Sequence, residues 1–511
     1  FIVPIPRPAS GSKLKEAFDR IYLELAEVFF EAYDEFQPLK RGKPHTRLTR
    51  EEALALEPGL APDILGAVTM DEWGIDPFRL VVENAIDAVE NGAVVLTYTE
   101  LVSFSKNKDG SVAGVVVEDR LTGARTAHTA PMVINATGAW GPRIAAMAGG
   151  SYQLRPGKGV HIVYSHRISN LGIVMDGVDG RQMFLMPHQN GSIIGTTDDD
   201  YYGDLDNPRA TEDEVKYILQ AARRVFPGID KHRMSRTYVG IRPTLWAWKK
   251  TEDGLSREHE FYDHASQGVP GLVSVAGGKL AAYRQLSEEV SDLVAKRVGN
   301  TGKCLTHEKP LPGAEEPVDV DAWLRESKSG PLVARSRMTV GRMAYRHGAR
   351  TKRMLAMCEA DPRQGAHVCT CEPVCEAEVR YAVKGELVHK LVDIRRRTRL
   401  SMGACGGTRC LARASQILAD EAGLTVAEQL VELKDAMTGR FIGKRPVLEG
   451  ANLATEELNQ QMHFLTANLG PYLAAASSTV RTTRSEGTPA PADGPATRTI
   501  PAHKAVVVGA S

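Results

Sequence analysis

MVINATGAWGPRIAAMAG, residues 132–149, runs an apolar strand into a turn of small residues and then a helix. Ala136, Thr137 and Gly138 carry little bulk, so backbone N–H groups and a helix N-terminus can approach a pyrophosphate there. The same turn also serves plain packing, so its neighbours decide the reading. Upstream, an amphipathic helix is expected over residues 13–34, and Thr49 with Glu52 forms a capping box. DPFRLVVENAIDAVENG reads as a helix stopped at Gly92, followed by a strand over Ala93–Thr97. SVAGVVVEDRLTGARTAHTA reads as two strands around an LTGA turn, ahead of a buried strand Met132–Asn135. Strands alternating with helices predict an α/β domain. Residues 151–275 are strand-rich and predict an α+β substrate domain. GLVSVAGGKLAAYRQLSEEVSDLVAKRVG then closes the region as strand, Gly-Gly turn and long helix.

The chain has 511 residues, enough for about three domains. Its 63 Lys plus Arg balance 63 Asp plus Glu, which argues against a global field that recruits nucleic acid. No apolar run reaches the roughly 18 residues of a transmembrane helix. Of seven cysteines, four fall within residues 358–375, unlike a secreted disulfide framework, so a reducing cytoplasm is expected. Residues 310–365 read as a helical connector, 366–420 as a cysteine-rich unit, 421–475 as a helical segment and 476–500 as a Ser/Thr/Pro-rich linker. The terminal AHKAVVVGAS has two readings: the first strand of a further dinucleotide-binding domain over 501–511, or a tail adding an edge strand.

Other residues add chemistry. Gly277 and Gly278 permit close backbone approach, and Lys279 adds a cation at a helix start, where a reduced flavin gathers negative charge. Arg242 in YVGIRPTLW and Arg257 in LSREHE offer two guanidiniums suited to a phosphate, and His161 in GKGVHIVYS offers an imidazole for proton transfer. Each, alone, is equally readable as a structural residue.

In combination and order, IDPFRL, INATGAWG, GKGVHIV, MPHQNGSIIGTTDDDYYGD, YVGIRP, LSREHE and AGGKLAAYRQLSE resemble the FAD-dependent glycerol-3-phosphate dehydrogenases over about residues 40–300. The resemblance implies the amine-oxidase-like flavoprotein fold over 1–300, with a substrate-binding sheet at about 151–270. It implies hydride transfer from C2 of sn-glycerol 3-phosphate to FAD, giving dihydroxyacetone phosphate. By matching positions, Arg242, Arg257 and Lys279 would hold substrate, with His161 or Lys279 as the base. Leu101, Ala136, Thr137, Gly138, Trp140, Gly277, Gly278, Lys279 and Leu280 would border FAD. One departure stands out: no G-x-G-x-x-G occurs, so the chain reads as a fragment lacking its first Rossmann unit.

HVCTCEPVCEAE, residues 367–378, and MGACGGTRC, residues 402–410, carry the remaining signal. Cys369 and Cys371 with Cys405 and Cys410 predict a metal site, iron–sulfur or zinc, beside glycines that let amides reach sulfur. The run CTC…DIRRRTRLSMGACGGTRC resembles the small [2Fe-2S] domain of bacterioferritin-associated-ferredoxin type. That domain is appended to the catalytic component of the anaerobic, quinone-linked dehydrogenases. The resemblance implies a [2Fe-2S] cluster on those four cysteines. It also implies the B and C components of the anaerobic complex as partners, with the B component expected as a C-terminal fusion. It further implies electron delivery to the quinone pool and a cytoplasmic location held at the membrane through partners. Cys304, Cys358 and Cys375 read as bystanders. The arginines at 395–397 and 399 read as a solvated helix face, a counter-charge to the cluster or a partner contact.

Overall fold

The computed structural model describes residues 1–6, 24, 27–248, 258–326, 336–470, 496–499 and 506–509. Its larger sheet has nine strands among the described residues. Toward one edge, Gly157–Tyr164 pairs antiparallel with Gly191–Gly195 on one side and with the edge strand Met234–Arg242 on the other. Alternation along Gly157–Tyr164 sends Val160, Ile162 and Tyr164 into the core, where they are essentially inaccessible. The helix Glu212–Val225 covers that face with Val215, Ile218, Leu219 and Ala222. Burial of each large aliphatic side chain contributes about 1.5–3 kcal/mol. Thr211 starts this helix with a capping box to Glu214.

The strands Ile2–Pro6, Thr46–Thr49 and Ile64–Thr69 extend this sheet, so it reaches well upstream of the expected 151–270. The Thr49–Glu52 capping box is formed. Of the helix expected over 13–34, residue 24 and residues 27–34 are helical and the others lie outside the described residues. The strand expected at Ala93–Thr97 is absent: those residues are irregular, and the strand begins at Thr99. Gly92 at φ 88° and Tyr98 at φ 53° each turn the chain, and Val94 is 76% exposed, so no buried face rewards an extended pairing there.

In the smaller sheet, Val133–Ala136 lies parallel to Leu272–Gly277, with Ile134 opposite Val273. His259–Asp263 flanks the second strand antiparallel. On the other side of Val133–Ala136 runs Val506–Gly509, also parallel, with Val507 opposite Ile134. Ala496–Thr499 lies parallel to Arg125–Thr129 in a third sheet. The remainder of the linker expected at 476–500, and residues 501–505, 510 and 511, are outside the described residues.

Helices Arg337–His347 and Thr351–Ala360 lead to a short hairpin, His367–Cys369 with Val374–Cys375. Helices Glu376–Gly385, Leu391–Thr398, Leu411–Ala422, Val426–Gly439 and Gly450–Thr466 follow. One apolar cluster joins Val379, Ile394 and Ile417 to Leu433, Met437 and Phe464, so packing continues across the expected border at residue 420. A buried ionic chain fastens this module to the upstream helix Pro77–Glu90. Arg79 Nη1 donates to Glu386 Oε2 at 2.8 Å, His347 bridges Glu386 and Glu378 at 3.1 and 3.0 Å, and Arg346 Nε donates to Glu378 at 2.6 Å.

Candidate active site

The pairing of Gly157–Tyr164 with the edge strand Met234–Arg242 arranges the site in rungs. Arg242 is opposite Gly157, Gly240 opposite Gly159, and Tyr238 opposite His161. Directly paired residues share a face, and residues two apart return to it. One face therefore shows an arginine rung, a bare glycine rung and an aromatic rung, spanning four residues or about 13 Å. A methyl at Gly240 would meet nothing within 4 Å, so open space stands above the Gly240 side of the middle rung.

The arginine rung is anchored. Arg242 Nη1 donates to Asp198 Oδ1 at 2.9 Å and to the Thr197 carbonyl at 3.1 Å, while Nη2 donates to Thr196 Oγ1 at 3.2 Å. Its side chain keeps 29% exposure, so part of it stays open to solvent. A Cβ at Gly159 would sit 2.8 Å from both terminal nitrogens, which locates the guanidinium over the glycine rung. At the other end, the His161 ring stacks on Tyr238, with centroids 4.6 Å apart. Gly195 makes room for that ring: a Cβ there would lie 2.5 Å from its Cδ2. Burial, then the Arg242 charge, pulls His161 down to about 4, so the ring is neutral at pH 7. Its Nδ1 is buried with no hydrogen-bond partner among the described residues. The constellation can grip an oxyanion at one end and accept a proton at the other.

The smaller sheet supplies the expected cofactor turns. After Val133–Ala136 the chain turns through Thr137 and Gly138, at φ 59°, into the short helices Gly138–Trp140 and Gly141–Met147. The space where a Gly138 Cβ would stand is empty within 4 Å. Thr137 Oγ1 donates to Asn135 Oδ1 at 2.7 Å, and Asn135 Nδ2 donates to the Gly141 carbonyl at 2.9 Å and to Ser274 Oγ at 3.0 Å. His264 reaches the same Ser274 hydroxyl at 2.8 Å. This buried network, which sequence reasoning missed, fixes the turn from below. At the second turn, Gly277 has φ 71° and a Cβ there would strike the Glu258 carbonyl at 2.2 Å, so only glycine fits. Lys279 and Leu280 follow as exposed residues, and Trp140 Nε1 donates to Asp206 at 2.8 Å. Leu101 is packed in an apolar cluster with Val115, Val133 and Ala148, so its side chain belongs to the core. Arg257 lies outside the described residues. The open Gly138 turn leaves room for a dinucleotide's pyrophosphate, whereas Gly277 serves close packing against the Glu258 backbone.

The cysteine loops dock on the larger sheet. Asn190 Nδ2, at a hairpin tip, donates to the Cys371 carbonyl at 2.8 Å, and Arg399 Nη1 meets His188 Nε2 at 2.6 Å. Cys371 and Cys405 sulfurs are 3.9 Å apart, and a Cβ at Gly403 would come within 2.3 Å of Cys371 Cβ. Cys369 is lowered to about 6, first by its contact with Cys410 and then, against burial, by the amides of Glu372, Ser401 and Cys371. Amides of Gly407 and Arg409 lie against the Cys405 sulfur. Cys375, expected as a bystander, is fully buried beside Cys358. Among the described residues, no group of three or more His, Cys, Asp or Glu stands arranged to hold a single metal ion. Likewise, no described helix is long and apolar enough to cross a membrane.

Residues 16–284 match the family of FAD dependent oxidoreductases, and residues 304–429 match the C-terminal domain of alpha-glycerophosphate oxidase. The A component of the anaerobic glycerol-3-phosphate dehydrogenase of Escherichia coli K12 is 36% identical over 417 residues, 81% of this chain and 75% of that protein. The A1 component of the anaerobic enzyme of Haloferax volcanii is 31% identical over 452 residues, 86% of this chain and 75% of its own length. The crystal structure of Bacillus halodurans glycerol-3-phosphate dehydrogenase complexed with FAD superposes with a TM-score of 0.68 at 27% identity, covering 79% of this chain and 81% of that one.

Proposed function

The chain belongs to the family of FAD-dependent glycerol-3-phosphate dehydrogenases, and from that premise we propose that it oxidises sn-glycerol 3-phosphate to dihydroxyacetone phosphate. The observation that carries the proposal is the slot above Gly240, between the Arg242 guanidinium, which reaches over Gly159, and the His161 ring. Its length accommodates a three-carbon phosphate laid along the sheet, with the phosphate at the arginine. Arg242 would hold the phosphate in a charge-assisted fork, its own direction set by Asp198 and Thr196. Arg257 is proposed as a second phosphate ligand. His161, neutral and with an unpartnered ring nitrogen, suits uptake of the C2 hydroxyl proton; Lys279 is the second candidate for that role. Removing that proton raises electron density at C2 and eases departure of hydride. FAD, when bound, supplies the two-electron acceptor. Ala136, Thr137, Gly138 and Trp140 with Gly277, Gly278, Lys279 and Leu280 would border it, and Leu101 would contribute only its backbone.

Four cysteines support a second cofactor. A metal with bonds of about 2.3 Å and tetrahedral angles sets its two sulfurs roughly 3.8 Å apart, close to the Cys371–Cys405 separation of 3.9 Å. We infer that Cys369, Cys371, Cys405 and Cys410 hold a [2Fe-2S] cluster, which would supply one-electron relay chemistry. Delivery to quinone through the B and C components of the anaerobic complex, at the cytoplasmic face of the membrane, extends the same reading.

The test is a steady-state assay of the FAD-loaded full-length protein with an artificial acceptor. sn-Glycerol 3-phosphate should be oxidised and glycerol hardly at all, and Arg242→Gln should lower kcat/KM for the phosphate ester roughly 10- to 100-fold. Equal turnover of both substrates would overturn the assignment.

A further inference from the structure

Past Tyr238, the same sheet face carries Arg236, one rung further from the substrate slot. The strand Met234–Arg242 pairs on one side with Gly157–Tyr164, and along its other side the cysteine module leaves a cavity of about 420 Å³. Arg236, Tyr238, Lys390, Arg395 and Ser401 line it. This volume is in the range of small-molecule sites.

The charges in the cavity do not cancel. Arg395 Nε is buried without a hydrogen-bond partner. Arg395 is pulled down to about 9, first by burial and then by the charges of Arg236, Arg396 and Arg399. Arg236 is lowered for the same reasons, burial first and Arg399 also contributing, with Tyr238 opposing. The acids that line the cavity have other partners than the two arginines: Glu432 pairs within the cavity wall with Lys390 and accepts the Leu391 amide, and Asp435 pairs with Lys434. Arg399 is held by Glu372, Asp76 and His188. Two half-buried guanidiniums thus face one space with no carboxylate between them among the described residues. Holding two like charges together away from water is unfavourable unless a counter-charge arrives.

We propose that this cavity is an anion site, separate from the substrate slot, in which Arg236 and Arg395 together bind the phosphate of inorganic phosphate or of a small phosphate monoester. Two forks match the several terminal oxygens of a phosphate, and its two negative charges match the two guanidiniums. The remaining volume accepts a few carbon atoms beside the Tyr238 ring. Because that ring stacks on His161, the occupied cavity touches the wall of the substrate slot.

The experiment is thermal unfolding of the full-length protein in an Arg242→Gln background, which removes the proposed substrate phosphate grip. Inorganic phosphate is compared with chloride at matched ionic strength. Phosphate should raise the melting temperature by several degrees, as a ligand of the native state does. Arg395→Gln added to that background should abolish the increment and raise the melting temperature without phosphate, through relief of repulsion. Arg236→Gln should do the same, and Arg395→Lys should keep part of the increment. A larger increment with sn-glycerol 3-phosphate assigns a monoester, and a larger one with inorganic phosphate assigns the free ion; both support the site. No increment, or one that survives both glutamine substitutions, overturns it.

Discussion

His161 lies flat on Tyr238, the ring planes within 4° of parallel, at the end of a glycine-floored slot opened at its other end by Arg242. The stack fixes the imidazole, and burial keeps it neutral near pH 7. If His161 takes the substrate proton, His161→Gln lowers kcat by about 10²- to 10⁴-fold. The acid limb of kcat/KM in the unsubstituted protein should then fall near pH 4, the value to which the ring is depressed. Retention of most activity in the variant would assign the proton to Lys279.

Gly240 tests the slot without disturbing the fold. Its would-be Cβ meets nothing, and its backbone is not in the left-handed region, so Gly240→Ala should melt within about 0.5 kcal/mol of the parent. The methyl would nevertheless stand where the substrate lies. KM for sn-glycerol 3-phosphate should rise about tenfold, a cost near 1.4 kcal/mol, measured by initial rates. An unchanged KM would move the substrate off this rung.

Cys405 and Cys371 provide a spectroscopic test. Cys405→Ser, purified without oxygen, should retain flavin absorption and lose the bleachable iron–sulfur shoulder of the parent. Cys375→Ser should keep both, since Cys375 sits with Cys358 in a separate buried cluster. A parent protein with zinc and no such shoulder would remove the relay from the scheme.

The ionic chain through Glu386 predicts a pH window for stability. Burial opposes ionisation of Glu386, yet His347 and Arg79 hold it at about 2 against an ordinary 4.5. A depressed carboxylate stabilises the native state above pH 4.5, and that contribution fades as pH falls toward 2. His347 is raised overall, burial being outweighed by Glu386 and Glu378, so its contribution is complete below 6.5 and fades as pH climbs through the raised value. Glu386→Gln leaves Arg79 with Glu83 as its one carboxylate partner among the described residues and removes a partner of buried His347, and should cost about 1–3 kcal/mol. Denaturant unfolding at pH 7 and at pH 3 measures both effects: the deficit of the variant should shrink at the lower pH.

The strand, turn and helix over 132–149 were legible because their signal is local: a short apolar run ending in small residues reads as a buried strand and a tight turn. Arg242 and His161 were legible one at a time, yet their relationship was not. It depends on the register of two strands more than seventy residues apart, which places Tyr238 against His161 and Gly240 against Gly159. Asn135, Ser274 and His264 were missed for the same reason, since a buried polar trio has no spacing signature along the chain. The Ala93–Thr97 strand was misplaced because apolar residues beside a glycine stop look extended; only the missing partner strand reveals otherwise. The arginines at 395–399 looked like one charge run. The fold separates them into exposed Arg396, paired Arg397 and Arg399, and unpaired Arg395.

The Arg79–Glu386 contact joins positions 307 residues apart in the chain. At a synthesis rate of about 5–20 residues per second, Arg79 waits roughly 15 to 60 s before its partner exists. During that interval Arg79 has only Glu83 of its own helix as an ionic partner, and the face of the helix Pro77–Glu90 that meets the cysteine module stays uncovered. The docking of the two regions is thereby timed by the ribosome, and slower translation between the two positions would lengthen the interval before it.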